Sequence, residues 1–320
     1  MLLILTEPGD THADAACEVL DSRQCPYTRL DPADFPVSLR VSAYISHARA
    51  DVAFHEIASG HSVDLRSIAA VWYRRPGPSV SDPVQREQKY RAGIDEENHN
   101  FLQDLWQSTN CRWVPGTPSA LRDAEKLYQL TLATQLGFTV PDTLVSNDPD
   151  NVLDFYTRHA GRIISKRAAF SRLNEHAGHF YRYTERMSRR DLGYVDAIRF
   201  CPMIFQAYVP KAFELRITVV GDQVFAARIY SQESNHTRYD WRRYDHYRTR
   251  YAVHDLPDEV ARLCRLLTKR MQLVFGAIDM IVTPAGEYVF LEINANGQYL
   301  WVEKQTGLPI TSSIVDLLIC

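Results

Sequence analysis

The sequence predicts an α/β protein with room for two or three domains, and three observations lead to that fold class. The chain opens with an apolar run, Leu2 to Thr6, joined across a Pro-Gly turn to a helical pattern from Thr11 to Ser22, the start of an α/β unit. A second strand, helix, strand succession begins at Thr143. Near the end, two apolar strands around Ile278 to Val282 and Tyr288 to Ile293 meet at Pro284-Ala285-Gly286, and this hairpin carries acids where a buried strand should carry none. The first division is expected at about residue 117.

In chain order, short strands are expected at Val52 to Ile57 and Ile68 to Arg74. Asp82 to Gln107 has Ile94, Phe101, Leu102 and Leu105 at helical spacing, with Asp82-Pro83 as cap and first turn, which predicts one long amphipathic helix. Trp113-Val114-Pro115-Gly116 breaks that pattern and sets the first division. A helix is expected from Ser119 to Leu136, stopped by Gly137. Strand Thr143 to Ser146, helix Asp150 to His159 and strand Arg162 to Lys166 follow. The basic, aromatic stretch Phe170 to Arg199 suggests a hairpin and a short helix, and Met203 to Val209 is the next strand. Phe213 to Val220 and Gln223 to Tyr230 form a hairpin about Gly221-Asp222. A helix from Leu256 to Val274 leads into the acidic hairpin, and two short helices close the chain.

Composition excludes several functions. With 36 Lys and Arg against 39 Asp and Glu, the net charge of -3 lacks the basic excess of a general nucleic-acid binder. Six cysteines without a C-x-x-C pair fit reduced thiols better than a disulfide framework or a zinc site. Met1 to Leu5 is too short and lacks the basic leader of a signal peptide, and no segment approaches the ~20 apolar residues of a membrane span. The expectation is a cytoplasmic protein with neither nucleic-acid nor membrane partners.

The acidic hairpin supplies the chemistry. Alternation puts Glu292 and Asn294 on one face of their strand, opposite Ile293, and Asp279 on the partner strand can converge with them. Such oxygen ligands suit magnesium at a nucleotide-triphosphate site.

Three passages carry a resemblance that extends over nearly the whole chain: Val71-Trp72-Tyr73-Arg74-Arg75-Pro76, Glu214-Leu215-Arg216-Ile217-Thr218-Val219-Val220-Gly221-Asp222, and Phe290-Leu291-Glu292-Ile293-Asn294-Ala295-Asn296-Gly297 continuing to Trp301. The order resembles an ATP-grasp ligase, specifically the graspetide synthetases that macrocyclise ribosomal peptides, the microviridin-ligase type. The resemblance implies an ATP-grasp fold: an α/β pre-ATP-grasp domain over 1–117, a central α+β domain for lid and leader over 118–202, and a catalytic ATP-grasp domain over 203–320. It implies ATP and Mg2+, with Asp279, Glu292 and Asn294 on the metal. Lys126 and Lys166 correspond to the family's two phosphate-clamping lysines, with Arg167 able to share or replace the second. Gln206, Ala207, Tyr208 and Val209 resemble the hinge that meets adenine, with Lys211 or Glu214 near the ribose.

A carboxylate that attacks a triphosphate needs cations placed in advance. Arg216 and Arg228, on the two strands of one hairpin, are the expected catalytic forks for phosphate oxygens or the reacting carboxylate. Asp240-Trp241-Arg242 is also similar to the cyclases, and Arg242 is assigned with Asp240 to the acceptor side of the substrate. His236 and Asp240 are base candidates by neighbourhood alone. The stretch from His179 to Arg199, with Tyr181 and Arg186, reads as the dock for the leader of a precursor peptide; its alternative is a lid over the phosphates. A homodimer is left open. Two rival functions are a ligase that adds a free amino acid to a small acid or protein tail, and a non-catalytic nucleotide- or peptide-binding module on the same fold.

Overall fold

The computed structural model describes residues 1–48, 50–77, 87–167, 184–233 and 249–320. Its first sheet is parallel. Strand β1 (Leu2–Thr6) is buried along its whole length, as a continuous apolar run on a strand covered from both sides should be. Helix α1 (Thr11–Ser22) buries Ala13, Ala16 and Leu20 on one stripe and is capped by Asp10, whose carboxylate accepts from the His12 N–H. Strand β2 (Tyr27–Leu30) pairs with β1. An antiparallel layer of β3 (Leu39–Ile45), β4 (Ala50–Glu56) and β5 (Ser62–Asp64) follows. Only β4 was expected; β3 is exposed over most of its length and so lacks the alternation that betrays a strand. Strand β6 (Ala70–Arg75) returns beside β1. Helix α2, described over Gln88–Ser108, lays Leu102, Leu105 and Trp106 into a core with Leu3, Leu5 and Phe54. Its expected Asp82-Pro83 start lies outside the described residues. Strand β7 (Arg112–Val114) completes the order β2-β1-β6-β7.

The single helix expected from Ser119 to Leu136 is two, α3 (Pro118–Asp123) and α4 (Lys126–Leu136). The chain leaves helical geometry at Ala124 and Glu125, and the Ala124 carbonyl freed at the break accepts from Gln129 Nε2 at 2.7 Å. Gly137 ends α4 at φ 96°, a left-handed position where glycine carries no Cβ penalty.

The second sheet has the order β10-β9-β11-β8, from β8 (Thr143–Ser146), β9 (Ile163–Arg167), β10 (Glu185–Arg186) and β11 (Met203–Ala207), with α5 (Pro149–Arg158) and a 3-10 helix at Asp191–Phe200 beside it. Strand β11 hydrogen-bonds to both β8 and β9, so this sheet crosses the division expected at residue 202. Its apolar face holds Ile163 and Phe205 against Val152 and Phe155 of α5.

The third sheet is antiparallel, order β14-β13-β12-β15-β16. It comprises β12 (Phe213–Val220), β13 (Gln223–Ile229), β14 (Tyr251–Val253), β15 (Phe275–Val282) and β16 (Tyr288–Asn294). Helix α6 (Asp258–Arg270) packs Leu263, Cys264 and Leu267 on one face with Leu215, Ile217, Ile278 and Ile293. It is shorter than expected because the chain turns at Gln272, φ 57°. Helices α7 (Leu300–Thr306) and α8 (Ile310–Ile319) follow; α8 buries Ile314, Val315 and Leu318 against Ala16 and Leu20 of α1, so the end of the chain covers its beginning.

Candidate functional site

The site grows from strand register. In the third sheet Arg216 pairs with Asp279, and Asp279 with Glu292; directly paired residues share a face, so the three form one row across β12, β15 and β16. Asn294 lies two residues on from Glu292 and on the same face, while Ile293 turns into the apolar core. A bulge beyond Asp279 leaves Leu291 as the extra residue of β16, and it falls immediately beside the row, where bulges commonly re-aim side chains. Arg216 Nη1 lies 3.4 Å from Asp279 Oδ1, and its guanidinium is 5.9 Å from the Trp301 ring. Asn294 Nδ2 is 3.5 Å from Glu292 Oε1.

Lys126 is the first residue of α4, and its Nζ reaches to 3.5 Å from Glu292 Oε2. The break before α4 aims this lysine at the row. Strand β16 is the sheet's edge, and its outer backbone is held by the segment containing α4: Gln129 Oε1 accepts the Ile293 N–H at 2.9 Å, and the Thr139 carbonyl accepts the Phe290 N–H at 2.9 Å. Gln129 is 4 % exposed. It was missed in the sequence; the available signal was an amide inside the apolar run Leu127 to Leu132.

Lys166 and Gln206 share a face of the second sheet, since Lys166 pairs with Ile204, two residues before Gln206. That face is opposite the one that buries Phe205. Gln206 Nε2 donates to Thr143 Oγ1 at 2.9 Å, which fixes the amide's orientation and leaves its Oε1 buried without a hydrogen bond among the described residues. Ala207 and Tyr208 use their N–H groups on the carbonyls of Asp142 and Arg162. Lys211 Nζ donates to Glu214 Oε1 at 2.7 Å, and both side chains are buried.

Arg228 was expected, like Arg216, at phosphate oxygens or the reacting carboxylate; it pairs with Leu215, not Arg216, so it occupies the other face of the sheet. There its guanidinium lies over Phe213 at 3.6 Å and Tyr230 at 4.5 Å. Burial, with the Arg228 charge beside it, holds the nearby His254 imidazole below its usual range. Arg186 lies on edge strand β10, in the wall of a cavity of about 530 Å³ with Tyr156, Met187 and Arg189. Tyr181, His236, Asp240 and Arg242 lie outside the described residues, as does the Arg167 side chain.

Among the described residues no three His, Cys, Asp or Glu side chains come together as a metal cluster. The row offers two carboxylates and one amide, a set that suits a hard cation whose remaining ligands are phosphate oxygens and water. No helix among the described residues is long and apolar enough to cross a membrane.

Two family models match the chain: the MvdD pre-ATP grasp domain over residues 1–119 and the RimK-like ATP-grasp domain over residues 188–318. A search of the curated proteins finds no match. Solved structures similar to the whole chain include a RiPP-associated ATP-grasp ligase from Chryseobacterium gregarium in complex with ADP and a leader and core peptide (30% identity, TM-score 0.89, 99% of this chain and 96% of that one). Macrocyclase MdnC from Microcystis aeruginosa, bound with precursor peptide MdnA, matches at 30% identity and TM-score 0.87 over 100% of this chain and 99% of that one. Macrocyclase MdnB from the same organism matches at 30% identity and TM-score 0.81 over 99% and 98%.

Proposed function

Because the chain belongs to the ATP-grasp ligases of ribosomal-peptide maturation, the family of the microviridin macrocyclases, we propose that it closes rings in a precursor peptide through side-chain carboxylates. The observation that carries this reading is the row Arg216, Asp279, Glu292 with Lys126 reaching it from α4. An Asp or Glu carboxylate of the peptide attacks the γ-phosphorus of ATP, and ADP leaves. A Ser or Thr hydroxyl or a Lys amine then attacks the acyl-phosphate carbonyl, phosphate leaves, and an ω-ester or ω-amide remains. Each ring costs the peptide one water.

Asp279, Glu292 and Asn294 would hold Mg2+, which when bound supplies charge neutralisation on the phosphate oxygens. Lys126 now neutralises Glu292; with nucleotide present it turns to phosphate, and Lys166 clamps from the second sheet. Arg216 orients the transferring phosphoryl group or the attacking carboxylate. Gln206 Oε1 is a fixed acceptor for the adenine amino group, and Val209, with the hinge carbonyls, meets the ring edge. Lys211 or Glu214 would read the ribose hydroxyls. Arg242 and Asp240 take the acceptor carboxylate's side, and Tyr181 and Arg186 the leader. Such an enzyme works in the cytoplasm, where ATP and nascent precursor coexist.

The test is mass spectrometry of a precursor peptide incubated with enzyme, ATP and Mg2+, beside the same peptide without its leader. Loss of one or more waters from the leader-bearing peptide is expected. ADP release driven by free amino acids, with no loss of water from any peptide, would overturn the reading in favour of an amino-acid-adding ligase.

A further inference from the structure

The strand that carries Glu292 and Asn294 runs into a turn that cannot place itself. Gly297 N–H donates back to the Asn294 carbonyl at 3.1 Å, and a Cβ at Gly297 would lie 2.3 Å from the Ala277 Cβ. The turn is therefore pressed against β15 at the residue that pairs with Asn294. It then enters α7 at Tyr299, whose side chain makes no cap hydrogen bond. The first N–H groups of a helix need acceptors, and here they come from the opposite end of the sequence. His12 Nε2 accepts from Tyr299 N–H at 3.2 Å and from Leu300 N–H at 3.3 Å.

The same small region of the first domain grips the turn again, because Arg74 Nη1 donates to the Asn296 carbonyl at 2.7 Å. Asp10 ties the two grips together. Its Oδ1 is 3.3 Å from His12 Nδ1 and its Oδ2 is 3.3 Å from Arg74 Nε, while Thr6 Oγ1 donates to Oδ2 at 2.9 Å. Since Nε2 accepts twice, the ring proton sits on Nδ1 and points at Asp10. Arg74, Asp10 and His12 are each less than a tenth exposed, and the His12 ring meets Tyr299 edge-on at 4.9 Å.

We infer that His12, oriented by Asp10 and seconded by Arg74, is a positioning group for the metal strand: the first domain sets the turn at 296–300 and through it the Asn294 amide. The inference rests on the reading of Glu292 and Asn294 as metal ligands, and its test is built to separate the two.

ADP release by the full chain with precursor peptide is titrated with Mg2+ for wild type, His12→Ala, His12→Gln, Leu20→Ala and Glu292→Gln, with Tm measured for each. His12→Ala should raise the half-saturating Mg2+ about tenfold, the usual consequence of losing a group that orients a ligand, with leader-peptide affinity unchanged. His12→Gln, which keeps an acceptor for the α7 N–H groups, should restore much of the wild-type Mg2+ response. Leu20→Ala loosens the same core without touching the turn and should leave the Mg2+ response alone. If Glu292→Gln is inactive but folded His12→Ala responds to Mg2+ like wild type, or like Leu20→Ala, the positioning role is wrong and the metal site stands. If Glu292→Gln turns over normally, the metal reading falls, and this inference with it.

Discussion

Arg74 and Arg216 are both nearly inaccessible arginines on strands of neighbouring sheets, and their company differs. Arg74 is enclosed by groups of its own chain: the Asn296 carbonyl at 2.7 Å and an Asp10 that also receives Thr6 and the His12 N–H. Burial pushes the Asp10 carboxyl up, but the hydrogen bonds from His12 and Thr6 and the Arg74 charge outweigh it and hold the group well below the usual carboxylate range. Arg216 stands 3.4 Å from Asp279, much as Arg74 stands 3.3 Å from Asp10, and the Lys126 to Glu292 pair is at 3.5 Å. The difference lies in the groups around each pair. Thr6, His12 and the Asn296 carbonyl join Arg74 and Asp10 in one network that fixes a turn. Arg216 lies in a row of two carboxylates and an amide, a set that suits a cation and phosphate oxygens.

The largest expected effect falls on the network around Arg74. Arg74→Met leaves Asp10 charged and buried, and removal of one partner from such a pair costs about 3–5 kcal/mol; denaturant unfolding should show it, and an unchanged midpoint would erase the contrast. In the row, Glu292→Gln should lower ADP release by roughly 100- to 1000-fold, about 3 to 4 kcal/mol, with Tm close to wild type. A variant that loses stability and keeps its rate would place Glu292 on the structural side.

The two arginines of the hairpin sharpen the comparison further. Arg216→Ala should impair ADP release severely, whereas Arg228→Ala should lose only its ring contacts, about 0.5–2 kcal/mol of stability, and keep most of its turnover. Equal loss of rate in both would mean that Arg228 acts on the reaction from its own face of the sheet.

The smallest effect is in pH. Burial, outweighing the Asp10 hydrogen bond and abetted by the Arg74 charge, lowers the His12 pKa below 6.5. The unfolded chain then takes up this proton first, so His12's share of stability is full above about pH 6.5 and declines as pH falls toward the folded value. His12→Gln should flatten that part of a stability-against-pH curve; an unaltered slope would mean that other groups set it.

Much of the site was legible because local rules govern it. Alternation on one strand puts Glu292 and Asn294 together, and the Gly137 stop follows from backbone sterics. The face of Arg228 was also within reach: a two-residue turn at Gly221-Asp222 pairs Val220 with Gln223, and counting outward sets Arg216 against Ala227 and Arg228 against Leu215. The contacts that Gln129 and His12 make were not legible. Their partners, Ile293 and Tyr299, lie 164 and 287 residues away, and no periodicity reports a hydrogen bond of that reach. The break at Ala124 escaped for a related reason, since the amide that satisfies its carbonyl also bonds to β16.

The packing of α8 on α1 bears on the order of events during synthesis. Ala16 and Leu20 are translated nearly three hundred residues before Ile314, Val315 and Leu318, which cover them. Chains generally fold domain by domain as they leave the ribosome, but here the opening α/β unit must wait, one apolar face uncovered, through nearly three hundred further residues. Contacts of such separation slow folding. A premature stop ahead of Ile310 would therefore release a chain whose α1 unit is exposed to aggregation, and chaperone demand should concentrate there although the lesion lies far along the sequence.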